Sequence, residues 1–318
     1  MILVGVDGGG TKTEFLTSDE TGHILSHVVT GGCNYYSAGL AGIESLFTQA
    51  AGELLSPLGL SARNVAFAAV GMPVVEENPQ VEQAVSGFLR KLFGHVSLHN
   101  DAVVGLSGSL GGACGINVIC GTGSICSGSD GQRYVRCGGW SGQFCDEGSG
   151  HWMGRKALEL FTKQADGRMP KSPLYDIVRG HFGLKRDLDI THIINHDLNQ
   201  SRKRMAELQL LVAQAMAAGD PNARALYQLA AEEICLMVRT VHRQLGLEEE
   251  VRVSYAGGLF QNDALLSLVK KELGSRYSLQ KPLYTPAQGA LILAAKQCLP
   301  ESALPAFLAN LRKRPASS

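Results

Sequence analysis

The sequence has no excess of charge of either sign, because Lys and Arg number 29 and Asp and Glu also number 29 among its 318 residues. Binding to the phosphates of a nucleic acid needs a basic surface, so we expect no nucleic-acid partner. No apolar run reaches the roughly 18 residues that span a bilayer, and no basic stretch precedes an apolar segment at the N-terminus. We therefore expect no membrane partner, no signal peptide and a cytoplasmic protein.

Several motifs of catalysis and metal binding are also missing. There is no HExxH motif, no Cys/His spacing typical of zinc sites and no GxSxG nucleophile elbow. None of the eight cysteines forms a CxxC pair, so we expect buried free thiols in a reducing compartment. His151 and His242 lie on predicted helices, where we expect no special role for them.

Glycine, in contrast, is abundant, with 38 residues, or about 12% where about 7% is usual. Two Gly-rich turns share one design: residues 7–13 read Asp-Gly-Gly-Gly-Thr-Lys-Thr, and residues 121–124 read Gly-Thr-Gly-Ser. Each turn lies between two short apolar strands and contains a threonine. This repetition predicts a duplicated nucleotide-binding fold.

The first turn has the chemistry of a phosphate site. Consecutive glycines, including Gly9 and Gly10, can point backbone N–H groups at a phosphate without interference from a Cβ atom. Thr11 can donate its hydroxyl group, and Lys12 follows it. Asp7 ends a buried strand and is placed to hold Mg²⁺ through water. The order Thr-Lys differs from a Walker A loop, and the alternative is a hairpin turn without a ligand.

Further glycines follow a third apolar strand at Ala256-Gly257-Gly258. A strand that runs through glycines into a helix presents backbone N–H groups and a helix N-terminus to a nucleotide. The alternative is a tight strand-to-helix turn.

Asp101 is the candidate general base, because it ends a predicted strand and precedes a segment of small residues. Ligands of α/β sheets bind beyond the carboxyl ends of the strands, and phosphoryl transfer to an alcohol needs a group that accepts the hydroxyl proton. The alternative is that Asp101 caps the next helix.

Sugar-binding groups are expected in the loop before residue 150 and after the first hairpin. Asp146 and Glu147 can accept hydrogen bonds from sugar hydroxyls, and Trp140 can pack on a sugar face. Asn34 offers both a donor and an acceptor. The alternative is that Asp146 and Glu147 only precede a helix, where acidic residues interact favourably with the helix dipole, with Ser149 close to the cap.

The apolar periodicity predicts a β-β-β-α-β-α-β order, which gives a mixed sheet covered by helices. Helices are expected at 39–60 and 80–93 in the first half, and at 187–199, 202–218 and 222–245 in the second. We expect an N-terminal domain at 1–112 and a C-terminal domain at 113–318. The second domain has a helical insertion at about 150–250, and its last helix packs back on the first domain.

Six motifs in order, namely residues 7–13, 100–102, 121–124, 138–140, 146–149 and 256–258, resemble those of one family. The chain is similar to the N-acetylglucosamine kinases of the BadF/BadG/BcrA/BcrD ATPase group, in the sugar kinase, Hsc70 and actin superfamily. The resemblance implies two ribonuclease-H-like, actin-like ATPase domains, each a mixed five-stranded sheet with flanking helices, around a cleft that binds ATP, Mg²⁺ and a sugar. It also implies a homodimer.

The resemblance further implies individual roles. Asp101 would activate the 6-hydroxyl of an amino sugar such as N-acetylglucosamine, and Thr11 and Thr122 would contact ATP phosphates. The groups near adenosine would be Gly219, Gly257, Gly258 and Ala287. The groups that hold the sugar would be Asn34, Gly123, Ser124 and Asp146.

One loop departs from the family pattern. Residues 141–145 read Ser-Gly-Gln-Phe-Cys, where the family has Gly-His or a similar pair, then apolar residues and a glycine. Because this loop helps to select the sugar, glucosamine, N-acetylmuramate or another hexose are alternatives. A different class in the family, the ATPase activators of acyl-CoA dehydratases, carries an Fe–S cluster on cysteines. Cys114 and Cys145 lie in Gly-rich segments, but no matching cysteine arrangement is evident.

Overall fold

Two five-stranded mixed sheets organise the chain. The computed structural model describes residues 1–73, 75, 78–140, 142, 144–247 and 250–312. In these ranges the strands are β1 (Ile2–Gly8), β2 (Lys12–Asp19), β3 (Ile24–Gly31), β4 (Val65–Gly71), β5 (Val96–His99), β6 (Gly115–Cys120), β7 (Ser124–Ser129), β8 (Tyr134–Gly138), β9 (Val251–Ala256) and β10 (Tyr277–Gln280). The α-helices are α1 (Tyr35–Leu55), α2 (Pro79–Phe93), α3 (Asp101–Leu110), α4 (Gly150–Ala165), α5 (Pro173–Phe182), α6 (Ile190–His196), α7 (Arg202–Glu207), α8 (Gln209–Ala217), α9 (Pro221–Leu245), α10 (Asp263–Leu273), α11 (Pro286–Cys298) and α12 (Leu304–Leu311).

The first sheet has the strand order β3-β2-β1-β4-β5. Strand β1 is antiparallel to β2 and parallel to β4, and β4 is parallel to β5. Alternate side chains of β1 enter two different cores. Val4 and Val6 pack with α1 and α2 on one face, whereas Leu3 packs with α11 on the other. The central strand is therefore covered on both faces, as its continuous apolar sequence predicts.

Helix α11 approaches β1 closely because residue 5 is a glycine. A Cβ atom on Gly5 would lie 2.6 Å from the carbonyl oxygen of Ala287 and 2.6 Å from the backbone nitrogen of Leu291. The two backbones are thus in contact at this point. Any larger residue at position 5 would force the helix away from the sheet.

The second sheet repeats the first. Its order is β10-β9-β6-β7-β8, with β6 antiparallel to β7 and parallel to β9. Counted from its own first strand, each sheet has the order 3-2-1-4-5. The predicted duplication and the predicted fold class, two mixed five-stranded sheets with flanking helices, are confirmed.

The chain divides into two compact units, Met1–Cys114 with the segment from Lys281 onward, and Gly115–Gln280. The observed boundary between Cys114 and Gly115 lies two residues after the expected boundary between residues 112 and 113. The segment from Lys281, which contains α11, lies in the first unit, whereas the expected second domain extended to residue 318 with only its last helix packed on the first domain. The expected insertion contains α4 to α9, between β8 and β9.

Several helix boundaries differ from those expected. Helix α1 ends at Leu55, five residues early, because Ser56-Pro57-Leu58 forms a 3-10 turn. The expected helix at 187–199 is a 3-10 turn followed by the short α6, and that at 202–218 is interrupted between α7 and α8 at Leu208. Helix α9 begins at Pro221, one residue before the expected start at 222, and Asp220 caps it.

All eight cysteines are free thiols. Cys33, Cys120, Cys126 and Cys235 are buried as expected, but Cys114 is exposed. Within the described ranges, no helix combines the length and the hydropathy needed to cross a bilayer.

Candidate functional site

The first Gly-rich turn joins β1 to β2 and is held by the end of the hairpin that follows it. The N–H of Gly9 donates to the carbonyl of Lys12 at 2.9 Å, and the N–H of Cys33 donates to the carbonyl of Gly9 at 3.0 Å. Gly10 and Thr11 are exposed, and a Cβ atom on Gly10 would contact nothing within 4 Å. The turn is therefore fixed from below, and its outer edge is open to a ligand.

Asp7 lies beside this turn at the end of β1, opposite Glu14 on β2. The pKa of Asp7 is raised from 3.8 to about 6, mainly by burial and then by the charges of Asp101 and Glu14, with a smaller opposing effect of Lys12. The carboxylates of Asp101 and Glu14 thus act electrostatically on that of Asp7 at the edge of the first sheet. A cation at this edge would relieve their mutual repulsion.

The donor chemistry at Asp7 suits Mg²⁺. No group of three or more His, Cys, Asp or Glu side chains that could hold a metal occurs in the part of the chain that the structure describes. Mg²⁺ rarely uses such an all-protein site, because it usually keeps several waters and binds one or two carboxylates together with substrate phosphates. A single half-buried carboxylate beside an open Gly-Thr turn fits that pattern.

Asp101 is the first residue of α3. The cap of this helix is Asn100, whose side-chain oxygen accepts from the N–H of Ala102 at 3.0 Å and whose amide donates to the carbonyl of Val75 at 2.9 Å. The alternative that the Asp101 side chain caps the helix is therefore wrong. Its carboxylate instead lies close enough to Asp7 to raise the pKa of that group.

The second Gly-rich turn joins β6 to β7 and is held by a helix. The N–H groups of Gly150 and His151, at the start of α4, donate to the carbonyls of Gly121 and Thr122 at 2.9 and 3.1 Å. Thr122 itself is exposed. The two turns therefore share a hairpin design but are held by different elements, which the sequence pattern does not reveal.

Ser124 and Asp146 are brought together in the second unit. The Ser124 hydroxyl donates to the carbonyl of Glu147 at 2.8 Å. A Cβ atom on Gly123 would lie 2.8 Å from Oδ2 of Asp146. The implied sugar-binding set Gly123, Ser124 and Asp146 thus forms one cluster. Asp146 is 4% exposed and adopts a φ of 63°, which is uncommon for a residue with a side chain.

Arg202 completes this cluster, and the sequence analysis missed it. Its guanidinium pairs with the Asp146 carboxylate. Cβ atoms on Gly123 and Gly142 would lie 3.2 Å from its Nη2 and 2.6 Å from its Nε. The sequence signal that could have indicated Arg202 is the basic run at residues 202–204, at the start of a predicted helix. Cations are unfavourable at the N-terminus of a helix, so a basic run there indicates that its side chains have specific partners.

Arg202 reaches Asp146 because α7 packs tightly on α4. A Cβ atom on Gly154 would lie 1.9 Å from the carbonyl oxygen of Met205, and one on Gly150 would lie 3.3 Å from that of Ala206. Two glycines one turn apart on α4 therefore let the backbone of α7 approach. This contact positions the first residue of α7 beside Gly142 and Asp146.

The residues assigned to adenosine have different surroundings. Gly219 and Gly258 face open space, since a Cβ atom on either would contact nothing within 4 Å. Gly257 has a φ of 102°, and its Cβ atom would lie 2.1 Å from the carbonyl oxygen of Cys120. Ala287 is fully buried against Gly5. Gly257 and Ala287 are thus explained by packing within their own units.

Of the other predicted sugar-binding residues, Asn34 is half-buried and Trp140 is exposed. Asn34 caps α1, and its side-chain oxygen accepts from the N–H of Tyr36 at 2.9 Å. Trp140 is 77% exposed, with the Arg136 guanidinium 5.7 Å from its ring centroid. Ser149 is the cap of α4, as the alternative for the acidic pair predicted. Ser141 and Gln143, in the loop that departs from the family pattern, lie outside the described residues.

Two sheets of the same strand order, each with a Gly-rich turn between its first two strands, define an actin-like ATPase fold. The chain belongs to the BadF/BadG/BcrA/BcrD ATPase family, whose model matches residues 4–294. The family resemblance predicted from the motifs is thereby confirmed.

Characterised relatives cover nearly the whole chain. It is 30% identical over 304 residues to the N-acetylmuramic acid/N-acetylglucosamine kinase of Clostridium acetobutylicum, covering 93% of this chain and 99% of that protein. It is 30% identical over 312 residues to the N-acetyl-D-glucosamine kinase of Dictyostelium discoideum, covering 92% and 97%. The crystal structure of the "Putative N-acetylglucosamine Kinase" from Chromobacterium violaceum matches with a TM-score of 0.70 and 29% identity, covering 92% of this chain and 98% of that one.

Proposed function

We propose that this protein is an ATP-dependent kinase that transfers the γ-phosphate of ATP to the 6-hydroxyl of an amino sugar, with N-acetylglucosamine as the first substrate to test. The family, and relatives that are named as amino-sugar kinases, support this proposal. The observation that carries it is the position of Asp101. Its carboxylate lies at the edge of the first sheet, close enough to Asp7 to act on the pKa of that group.

In the proposed reaction the sugar oxygen attacks the γ-phosphorus as the bond to the β-phosphate oxygen breaks. Asp101 accepts the proton that the hydroxyl loses, which keeps the attacking oxygen nucleophilic. ADP leaves with the electrons of the broken bond. The protein supplies positioning and charge stabilisation, which are the main sources of catalysis in phosphoryl transfer.

Phosphate and metal binding are proposed for the two Gly-rich turns. Thr11 and Thr122 are both exposed and donate hydroxyl groups to ATP phosphates. Gly9, Gly10 and Lys12 contribute backbone N–H groups and a positive charge. Asp7 would hold Mg²⁺ through water, and this ion would supply neutralisation of the charge that develops on the phosphates.

Adenosine and sugar binding are proposed for residues on several loops. Gly219 and Gly258 face open space and leave room for the nucleoside. Gly123, Ser124 and Asp146 would bind sugar hydroxyls, with Asn34 and Trp140 as further contacts.

Kinetics of an Asp101→Asn variant test the proposed base. We expect turnover to fall by about 10²- to 10⁴-fold, the usual contribution of a positioned base, with ATP affinity largely retained. Asp263→Asn is a matched control, because Asp263 is the first residue of α10 and follows the cap Asn262, as Asp101 follows Asn100. Near-normal turnover of Asp101→Asn would remove Asp101 as the base.

A panel of hexoses and amino sugars, monitored by ADP release, tests the substrate. We expect the wild-type protein to release ADP fastest with N-acetylated or free 2-amino sugars. ADP release that no sugar stimulates would contradict a sugar kinase and would instead favour an ATPase that acts on a protein partner.

A further inference from the structure

The conformation of Asp146 depends on a side chain from another helix. Among the described residues, Asp146 is the residue other than glycine that has a positive φ, at 63°. A residue with a side chain keeps this conformation only where its surroundings enforce it, and such residues occur mainly at functional sites. The ion pair with Arg202, at the first position of α7, is a contact that enforces it.

The Arg202 guanidinium lies against two glycines. A Cβ atom on Gly142 would lie 2.6 Å from its Nε and 2.9 Å from its Cζ, and one on Gly123 would lie 3.2 Å from its Nη2. A larger residue at position 142 would therefore displace the guanidinium. Arg202 thus contacts the second Gly-rich turn at Gly123 and the segment before α4 at Gly142 and Asp146.

The two partners of the ion pair differ in their exposure to water. The side chain of Asp146 is 4% exposed, whereas that of Arg202 is 56% exposed. A desolvated carboxylate makes stronger hydrogen bonds than one in water, but its burial is costly unless a cation compensates its charge. Arg202 supplies this charge and remains partly hydrated itself, so it lets a carboxylate occupy a buried position beside Gly123.

We propose that Arg202 is a positioning residue of the sugar site. Its guanidinium holds the Asp146 carboxylate in the buried position beside Gly123, from which the carboxylate accepts hydrogen bonds from sugar hydroxyls. Arg202 acts through Asp146 and does not bind the sugar itself. This inference rests on the proposed sugar kinase activity, and it adds a residue of the helical insertion to a site that the sequence motifs place in loops.

Kinetics and calorimetry of Arg202→Gln test the role. We expect the KM and the Kd for N-acetylglucosamine to rise about 10- to 100-fold, the range for a hydrogen bond to a charged group. The kcat and the KM for ATP should stay within about twofold of the wild type, as for a loss of binding that the ground and transition states share. Arg202→Lys should restore part of the affinity, because it restores the charge but not the planar fork.

Arg204→Gln is the matched control. Arg204 lies two residues further along α7, pairs with Asp197, and has a side chain that is 57% exposed. The control therefore removes a guanidinium of similar exposure, and its ion pair, from the same helix. We expect it to leave the KM for the sugar unchanged. An equal rise of this KM in Arg204→Gln would assign the effect to the stability of α7 or to general charge, and would overturn the proposal.

A double-mutant cycle with Asp146→Asn separates positioning from direct contact. If Arg202 acts through the Asp146 carboxylate, Arg202→Gln should change the Kd for N-acetylglucosamine by less than about twofold once Asp146 is Asn. A further loss as large as that in the wild-type background would mean that Arg202 contacts the sugar. Tighter sugar binding by the single variant Arg202→Gln would mean that Arg202 obstructs the site. Either result overturns the proposal.

The reactivity of Cys145 provides a measurement without a substrate. Cys145 precedes Asp146 and is a partly exposed free thiol, and Cys114 is an exposed free thiol that serves as the internal reference. We expect a thiol reagent to modify Cys145 severalfold faster in Arg202→Gln than in the wild type, as measured by mass spectrometry. An unchanged rate at Cys145 would overturn the positioning role. A faster rate in a protein that phosphorylates no sugar would refute the proposed function and leave the positioning of Asp146 by Arg202 standing.

Discussion

Replacement of Asp7 by Asn should stabilise the protein, although Asp7 is a proposed functional residue. Burial and the neighbouring carboxylates of Asp101 and Glu14 raise the pKa of Asp7 from 3.8 to about 6. The folded protein therefore binds this proton more tightly than the unfolded chain does. Asn has the shape of the protonated acid and has no charge to bury.

The sign and size of the effect follow from this pKa. Between pH 3.8 and about 6 the folded state holds more protons than the unfolded state, so stability falls as the pH rises through this interval. At about 1.4 kcal/mol for each pH unit, the full cost of the charged form is about 3 kcal/mol above pH 6. Of this, about 2 kcal/mol develops between about pH 4.5 and about pH 7.5.

Calorimetric melting of the wild type and Asp7→Asn at these two pH values measures the effect. We expect the variant's advantage in Tm to be about 4–8 °C larger at the higher pH, at about 2–4 °C for each kcal/mol. Mg²⁺ with nucleotide should raise the Tm of the wild type more than that of the variant. This second comparison tests Asp7 as the proposed metal ligand.

Asp19→Asn is the control of opposite sign. Burial raises the pKa of Asp19, but hydrogen bonds from Thr21 and His23 lower it more, so the net direction is downward. Its replacement should therefore lower the Tm at neutral pH. If Asp7→Asn melts below the wild type at both pH values, or if its advantage does not change with pH, the electrostatic reasoning about this edge of the sheet is refuted.

Two further predictions concern a turn and a cap. Gly258→Val should fold normally, because its side chain enters open space, and should weaken ATP binding more than sugar binding. Equal effects of Gly258→Val on the two ligands in titrations would contradict the proposed position of Gly258 near adenosine. Gly257→Ala should instead lower the Tm, because its Cβ atom would lie 2.1 Å from the Cys120 carbonyl oxygen. Asp220→Ala should destabilise the protein by about 2–4 kcal/mol. It removes the carboxylate that accepts from four donors, among them the Ser172 hydroxyl at 2.6 Å and the Leu174 N–H at 2.7 Å. Urea unfolding that matches the wild type would contradict this prediction.

Much of the fold could be predicted because its signals are local. The apolar run of β1, the glycines after it and the second apolar run of β2 define a hairpin within 18 residues. Asp220 and Pro221 mark the start of α9 in the same way. Since the hairpin signal recurs at residue 115, the duplication was also evident from the sequence.

The parts that could not be predicted depend on contacts between distant residues. Gly5 and Ala287 are 282 positions apart, and their contact assigns α11 to the first unit. The interruption between α7 and α8 at Leu208 has no Gly or Pro to mark it. Periodicity describes one element at a time and contains no information on such partners.

The candidate site likewise contains some residues that local sequence signals indicate and others that depend on contacts between distant parts of the chain. Asp7, Asp101 and Asp146 are candidates from the sequence because each follows a strand or a glycine loop at a recognisable spacing. Arg202 was missed because it lies 56 residues beyond Asp146. His151, for which no special role is expected from the sequence, lines a cavity, and its Nδ1 atom has no hydrogen-bond partner among the described residues.

The position of α11 late in the chain affects how the protein is made. The sheet face that contains Leu3 and Leu16 is covered by this helix, but residues 115–280 lie between the two parts of the first unit. At about 5–20 residues per second, a ribosome needs roughly 8 to 33 s to synthesise that interval. During this time the nascent sheet has an uncovered apolar face, so premature termination before residue 286 should yield chains that bind chaperones or aggregate, even though all five strands of that sheet have been made.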